Sequence, residues 1–286
     1  MPLLPPPESD VSIIYHGDCQ DGFGAAFSAW KRYGDSAMYT PNEHGSPYKV
    51  EAVLGKNVVM IDFSFKKEIL DEITAKAKSL TILDHHESAK EAVVSMPSSL
   101  YDNNHSGAYL AWNYFHPKTP VPKLISYIED DDLYRFVLPD SRAIREYVFS
   151  QAYNFKVWDG MLRALDSDGG FQYKEIVTIG SMYREYVEKT VRGIAEKAEL
   201  VSFEDHEVYA VSAPHPFDSE VGNVLARKKP PFALVFKFHP DKLRVSLRGD
   251  GSVDLAEIAI KYGGGGHHDA AGFNVEYGKP LPFTKL

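Results

Sequence analysis

The chain of 286 residues contains one cysteine, Cys19, and lacks any long apolar run. A single cysteine excludes an intrachain disulfide and is typical of a protein of the reducing cytoplasm. No segment approaches the roughly 18 consecutive apolar residues that a membrane-spanning helix needs. The first ten residues, MPLLPPPESD, lack the charged and apolar regions of a secretory signal. We therefore expect a cytoplasmic protein with no membrane partner and a disordered tail over residues 1–10.

Positive charge is also scarce, because 31 Lys and Arg residues stand against 40 Asp and Glu residues and the formal net charge is −9. This balance argues against a protein that binds long duplex nucleic acid through a basic face. It is compatible with a small phosphorylated substrate, since bound metal ions can supply positive charge locally. At this length the chain is expected to form two domains.

Apolar runs alternate with helical segments in the first half of the sequence. The runs 11–15, 57–61 and 79–83 show no polar alternation, which is typical of a parallel sheet buried on both faces. The second half reads mainly as alternating strands. We predict an α/β fold in which a doubly wound parallel sheet over 11–170 is joined by a connecting helix, 171–198, to a smaller α/β domain over 199–286. The active site is expected in the cleft between the two domains.

Each of the three apolar runs ends in acids or histidines. They are His16, Asp18 and Asp21 after the first run, Asp62 after the second, and Asp84, His85 and His86 after the third. In a doubly wound sheet, ligands bind beyond the carboxyl ends of the strands, so these side chains are expected in one crevice. Mixed carboxylate and imidazole ligands suit Mn²⁺, with Mg²⁺, Co²⁺ or Zn²⁺ as alternatives.

Each of these residues also has a plain structural explanation when it is taken alone. An Asp after a strand is usually a helix cap or a turn residue, and the acids Asp130 to Asp132 alone would be a solvated helix end. The prediction of a site depends on three successive strand ends that carry the same chemistry.

Two groups of motifs resemble those of the DHH phosphoesterase superfamily, which includes nanoRNases, a single-strand exonuclease, cyclic-dinucleotide phosphodiesterases and manganese pyrophosphatases. One group is Asp84-His85-His86 together with His16 to Asp21 and Asp62. The other is YGGGGHHDAAGF, residues 262–273, which is similar to the GGGHxxAAG signature of the DHH-associated domain. The segments NHSGAYLAW and YIEDDDLYRFVLP most resemble proteins labelled exopolyphosphatase-like or oligoribonuclease-like.

The resemblance implies a DHH catalytic domain that holds two Mn²⁺ ions, with Co²⁺ or Mg²⁺ as alternatives, and a DHH-associated domain that binds substrate. Asp62 would bridge the ions, Asp84 would support His85 from behind, and His86 would face the substrate phosphate. The implied metal ligands are His16, Asp18, Asp21, Asp62, His85 and Asp130, with Asp132 as the alternative to Asp130. The residues implied to bind substrate are His105, Arg248, Gly264, Gly265, Gly266 and His267.

The first motif departs from the superfamily pattern. Relatives usually carry H-x-x-x-D-x-D or D-x-D, whereas this chain reads His16-Gly17-Asp18-Cys19-Gln20-Asp21. Either Asp18 takes the place of the displaced acid or the first metal has an altered set of ligands. We expect Cys19 to be a small buried hydrophobic residue rather than a metal ligand.

The function predicted from the sequence is hydrolysis of dinucleotides or short oligonucleotides to mononucleotides, by two metal ions that activate a bridging hydroxide. The enzyme would be a phosphodiesterase of the 3′-5′ exonuclease or nanoRNase type, with linearised cyclic dinucleotides among its substrates. One alternative is a phosphohydrolase of polyphosphate or of 3′-phosphoadenosine 5′-phosphate. Another is a nucleotide-binding protein with a degenerate metal site.

Overall fold

The computed structural model describes residues 4–7, 9–17, 19–43, 46, 48–167 and 169–286. The chain divides into two compact units, Met1–Arg184 and Glu185–Leu286. The first unit contains a five-stranded parallel sheet and the second a seven-stranded mixed sheet. The predicted α/β class, with a parallel sheet in the N-terminal half, is confirmed.

The parallel sheet of the first unit has the strand order β2-β1-β3-β4-β5. The strands are β1 (Val11–His16), β2 (Met38–Asn42), β3 (Asn57–Ile61), β4 (Ser79–Asp84) and β5 (Ser99–Tyr101). The helices are α1 (Gln20–Tyr33), α2 (Lys67–Lys76), α3 (Lys90–Val94), α4 (Gly107–Phe115), α5 (Lys123–Asp132), α6 (Ser141–Phe149), α7 (Phe155–Leu165) and α8 (Phe171–Ala195). Helix α8 continues past the point at which the two units divide.

Both faces of the parallel sheet are covered, which explains why its central strands are apolar throughout. Ile13 of β1 packs in a core cluster with residues of α1, α4, α5 and α7, whereas the next residue, Ile14, packs in a second cluster with residues of α2 and α3. Successive side chains of a strand point to opposite faces. A strand covered by helices on both sides therefore needs apolar residues at every position.

The carboxyl ends of β1, β3 and β4 lie at the same level of the sheet. Tyr15 is in register with Ile61, and Ile61 is in register with Leu83. The residues that follow them are His16, Asp62 and Asp84, so the pairing register places one imidazole and two carboxyl groups side by side at one edge.

The second unit is built on a mixed sheet of order β10-β11-β9-β8-β7-β6-β12. Its strands are β6 (Glu199–Phe203), β7 (His206–Ser212), β8 (Phe232–Phe238), β9 (Lys242–Gly249), β10 (Gly265–Gly266), β11 (Ala270–Glu276) and β12 (Thr284–Lys285). Its helices beyond α8 are α9 (Asp218–Lys228) and α10 (Leu255–Lys261). Helix α9 joins β7 to β8, which pair in parallel. Within the described ranges, none of the helices combines the length and apolar character needed to cross a membrane.

Candidate metal centre

The carboxylate of Asp62 stands between two groups of metal-ligating atoms. Its Oδ1 lies 3.1 Å from Nε2 of His85 and 3.8 Å from Nδ1 of His86. Its Oδ2 lies 3.4 Å from Sγ of Cys19 and 3.7 Å from Nδ1 of His16. Asp62 is 1% exposed and has a φ of 54°, and such left-handed backbone at a non-glycine residue concentrates at functional sites.

His85 connects Asp62 to two further acids. Its Nε2 lies 3.7 Å from Oδ2 of Asp21 and 3.7 Å from Oδ2 of Asp132. Asp21 lies in the first turn of α1 and Asp132 is the last residue of α5. Two strand ends and two helix ends therefore supply the side chains that meet around His85.

Among the residues that the structure describes, three groups have the composition and spacing of a metal site. They are His16, Cys19 and Asp62; Asp62, His85 and His86; and Asp21, His85 and Asp132, and within each group the ligand atoms lie within 4.8 Å of one another. Asp62 belongs to two groups and His85 to two, so the groups form one continuous cluster. Carboxylate and imidazole donors of this kind fit a divalent cation.

The charges of the cluster also fit a cation. Burial raises the pKa of Asp21 well above its usual value, and repulsion by Asp132 and Asp62 adds to that effect. Burial likewise raises the pKa of Asp132 to about 6. Burial alone would lower the pKa of His85, but its hydrogen bond to Asp62 and the surrounding carboxylates raise that pKa to about 10. Ionisation of all these carboxylates would leave more negative charge than the histidines balance, and a bound cation would compensate it.

Asp84 fixes the position of the ring of His86. Its Oδ1 accepts hydrogen bonds from the backbone N–H groups of His85 at 2.7 Å and His86 at 3.1 Å, and lies 2.7 Å from Nδ1 of His86. Burial lowers the pKa of His86, but the charge and hydrogen bond of Asp84 outweigh it, and the net pKa is raised. The second histidine of the motif is therefore held in a set orientation in which its protonated form is favoured.

Asp21 is held by the N-terminus of α4. Its carboxylate accepts hydrogen bonds from the backbone N–H of Gly107 at 2.6 Å and of Ala108 at 3.0 Å. The N-terminal end of a helix carries unsatisfied N–H donors and partial positive charge, so it stabilises a carboxylate at this position. Helix α4 thus sets the orientation of a residue that the sequence predicts to be a metal ligand.

Asp130, which was predicted to be a ligand, has its carboxylate engaged by the segment that follows α5. Its carboxylate accepts hydrogen bonds from the backbone N–H of Val137 at 3.0 Å and of Leu138 at 3.2 Å, and from the hydroxyl of Ser141. Residues two apart on a helix point in different directions. Asp132, the alternative to Asp130, is the acid that lies beside His85.

The first motif differs from its prediction at Cys19. The side chain of Cys19 contacts polar groups rather than packing as a hydrophobic residue, since Sγ lies 3.1 Å from Nδ1 of His16 and accepts the backbone N–H of Gly22 at 3.2 Å. Asp18, the other candidate of this motif, lies outside the described residues.

The residues predicted to bind substrate fall in both units. In the first unit, Nδ1 of His105 lies 2.7 Å from Oε1 of Glu129, and the ring of His105 stacks on Tyr109 with centroids 3.9 Å apart. In the second unit, Arg248 of β9 pairs with Ala270 of β11. Its guanidinium donates to the hydroxyl of Ser219 at 2.7 Å and to the carbonyl of Leu247 at 2.8 Å.

Packing within the sheet explains the glycines of this run independently of their predicted role in substrate binding. Strand β10 consists of Gly265 and Gly266 and pairs with β11. A Cβ on Gly264 would lie 2.1 Å from the carbonyl oxygen of Gly272, so no side chain fits there. The backbone N–H of His267 donates to the carbonyl of Ala270 at 2.8 Å. The glycines of β10 and Arg248 of β9 therefore lie on either side of β11, and His267 directly follows β10.

Replacing Gly107 with alanine is expected to displace Asp62 and lower metal affinity by about 10-fold or more. A Cβ at Gly107 would lie 2.4 Å from Cβ of Asp62 and 2.6 Å from its Oδ1. Gly160→Ala is the matched control, because Gly160 lies in α7 with open space around the added Cβ. Calorimetric titration with Mn²⁺ checks both variants, and equal affinities would contradict the packing argument.

Comparison with known proteins gives the class of the chain. Residues 219–282 match the family model of the DHHA1 domain. The chain belongs to the DHH superfamily, as the motifs in both halves of the sequence indicated. It is 30% identical over 300 residues to the uncharacterized protein R106 of Acanthamoeba polyphaga mimivirus, and the match covers 96% of this chain and 70% of that protein.

Solved structures with similar folds include two enzymes. One is the pGpG-specific phosphodiesterase PggH of Vibrio cholerae, with 11% identity, a TM-score of 0.50 and coverage of 93% of this chain and 94% of that chain. The other is RecJ of Thermus thermophilus in complex with Mn²⁺, with 14% identity, a TM-score of 0.50 and coverage of 93% of this chain and 49% of that chain. At identities this low, the similarity is one of fold.

Proposed function

We propose that the chain is a metal-dependent phosphodiesterase that hydrolyses dinucleotides and short oligonucleotides to mononucleotides. The observation that carries the proposal is the carboxylate of Asp62, whose two oxygens face two different groups of ligand atoms. A pair of divalent ions, when bound, supplies an activated water and neutralises the phosphoryl oxygens of an in-line displacement.

Different side chains would hold the two ions. Asp62 would be shared, His85 with Asp21 and Asp132 would complete one position, and His16 would contribute to the other. Mn²⁺ is the ion that we favour, because the donors are carboxylates and imidazoles and because RecJ, which has a similar fold, carries Mn²⁺. Mg²⁺ and Co²⁺ are the alternatives.

His86 is suited to meet the negative charge that develops on the phosphoryl group. Asp84 holds its ring through Nδ1 and raises its pKa, which favours the protonated form of His86. A donor that is fixed before the reaction stabilises the transition state without reorganisation. Asp84 would act only through His85 and His86, by holding the turn that follows β4.

The second unit offers groups suited to a terminal phosphate or a ribose. Arg248 is a planar donor of the type that recognises phosphate, and it lies beside the strand pair that carries Gly264, Gly265, Gly266 and His267. The preference for short substrates is supported by the net charge of −9, which disfavours long nucleic acid. PggH, a protein of similar fold, is specific for pGpG.

Purified protein with Mn²⁺ and either pGpG or a 5′-labelled RNA of a few nucleotides should release mononucleotides. Chelation by EDTA should abolish the reaction, and restoring Mn²⁺ should recover it. Parallel reactions contain polyphosphate and 3′-phosphoadenosine 5′-phosphate. Release of orthophosphate from these compounds without any mononucleotide from the oligonucleotides would contradict the proposal in favour of a phosphohydrolase. Tight nucleotide binding with no turnover would indicate a binding protein.

Replacing His267 with alanine is expected to raise KM for pGpG by about 10-fold while leaving Mn²⁺ affinity unchanged. The loss of one hydrogen bond to a charged phosphate is worth about 1.5 kcal/mol, which corresponds to that factor. His268→Ala is the matched control, since the neighbouring His268 has a side chain that is 58% exposed. Steady-state kinetics check both variants, and an equal KM in the two would exclude His267 from substrate binding.

A further inference from the structure

We infer that Cys19 is a metal ligand through its sulfur, so that one of the two metal positions is a His16–Cys19–Asp62 site. The inference rests on the proposed two-metal function and adds to it the chemical identity of the first position. It also implies that the two positions differ, because one contains a soft sulfur donor and the other, around His85, contains carboxylates and imidazole alone.

Three donor atoms of different kinds converge at this position. Sγ of Cys19 lies 3.1 Å from Nδ1 of His16 and 3.4 Å from Oδ2 of Asp62, and Oδ2 lies 3.7 Å from Nδ1 of His16. The three residues come from the end of β1, the start of α1 and the end of β3. His16 and Cys19 are three residues apart in the sequence, whereas Asp62 is brought to them by the pairing of β1 with β3.

The start of α1 fixes the sulfur in this place. Cys19 is the N-cap residue of α1, and its Sγ accepts a hydrogen bond from the backbone N–H of Gly22. A Cβ on Gly22 would lie 2.0 Å from the carbonyl oxygen of His16, so the helix start packs directly against the end of β1.

Binding of an ion here exchanges one bond for another without any redox change. The S–H bond of Cys19 breaks, its proton passes to solvent, and the sulfur electron pair forms the bond to the metal. Thiolate donors favour Zn²⁺ over the harder ions Mg²⁺ and Mn²⁺. Replacing Cys19 with serine should therefore lower the preference for Zn²⁺ over Mn²⁺ at this position by about 10-fold or more.

Titration of the metal-free full chain with Co²⁺ tests the inference by absorption spectroscopy. Cys19 is the only cysteine of the chain, so a thiolate-to-cobalt charge-transfer band in the near ultraviolet must come from it. We expect this band in the wild type at a stoichiometry of about one per chain. Cys19→Ser should lose the band and keep the visible absorption of bound Co²⁺. Asp132→Asn, which changes the other position, should keep the band.

The spectra separate a failure of this inference from a failure of the proposed function. Visible absorption of bound Co²⁺ without the near-ultraviolet band would overturn the ligand role of Cys19 and leave the two-metal proposal intact. A chain that binds no Co²⁺ and no Mn²⁺ would overturn both. A second measurement does not depend on any variant: Zn²⁺ should protect Cys19 of the wild type from a thiol-modifying reagent, and equal modification rates with and without Zn²⁺ would also contradict the inference.

Discussion

Asp62→Ala is expected to lose both metal ions and to lower turnover by at least about 10³-fold. The reason is that each oxygen of the Asp62 carboxylate faces a different group of ligand atoms, so one substitution removes a donor from both positions. Removal of the carboxylate also leaves His85 without its hydrogen-bond partner at 3.1 Å. Metal content per chain and hydrolysis of pGpG are the two measurements.

The control for Asp62→Ala is Asp71→Ala. Asp71 lies on α2 in the same unit, and its side chain is 57% exposed and paired with Lys67 on the surface. Both variants should show the circular dichroism spectrum of the wild type, and only Asp62→Ala should lose metal. If the Asp62 variant kept the metal content of the wild type, the shared position of this carboxylate would be wrong.

Asp132→Asn and Asp130→Asn are expected to have different effects on turnover, metal binding and stability, although the two residues are close in sequence. Asp132→Asn should lower turnover by about 10²-fold or more and weaken metal binding at the His85 position. It should not lower stability, because it removes a charge that repels Asp21 and Asp62. Turnover at saturating Mn²⁺ and calorimetric titration are the measurements.

Asp130→Asn should instead lower the free energy of unfolding by about 1–3 kcal/mol and leave metal affinity near that of the wild type. Its carboxylate accepts three hydrogen bonds from the segment 137–141, which an amide cannot fully replace. Denaturant unfolding measures the loss. The reverse pattern, in which Asp130→Asn abolishes metal binding and Asp132→Asn does not, would refute the assignment of Asp132.

The sequence allowed the central part of the first sheet to be predicted because a strand covered on both faces must be apolar throughout. It did not reveal β2, whose residues 38–42 are mostly half-buried or exposed and include Pro41. Strand β2 lies at an edge of the sheet, where a proline is tolerated and only part of the strand is covered. The three-residue strand β5 is too short to show a pattern.

The meeting of His16, Asp62, His85 and Asp21 could be predicted from their positions after parallel strands. Which of Asp130 and Asp132 lies beside His85 depends on the rotation of α5 about its axis. The spacing of residues in the motif does not determine that rotation. A signal was nevertheless present. Leu124, Ile128 and Asp132 are four residues apart and share one helix face, and the two apolar residues are buried in the core next to the sheet.

The position of the Cys19 sulfur beside His16 and Asp62 could not be predicted, for a different reason. A cysteine in a sequence is most often a small apolar residue of the core, and nothing in its neighbours states otherwise. Its sulfur faces His16 and Asp62 because Cys19 forms the N-cap of α1. The direction of a capping side chain follows from the packing of the helix start against β1, which only the tertiary structure provides.

The central claim is that the carboxylate of Asp62 seats one divalent ion on each side. Anomalous scattering at the manganese absorption edge, from crystals soaked in MnCl₂, tests it most directly. We expect two manganese peaks, one beside His16 and Cys19 and one beside His85, Asp21 and Asp132. Asp62 should contact both ions. Manganese bound elsewhere, or none in contact with Asp62, would contradict it.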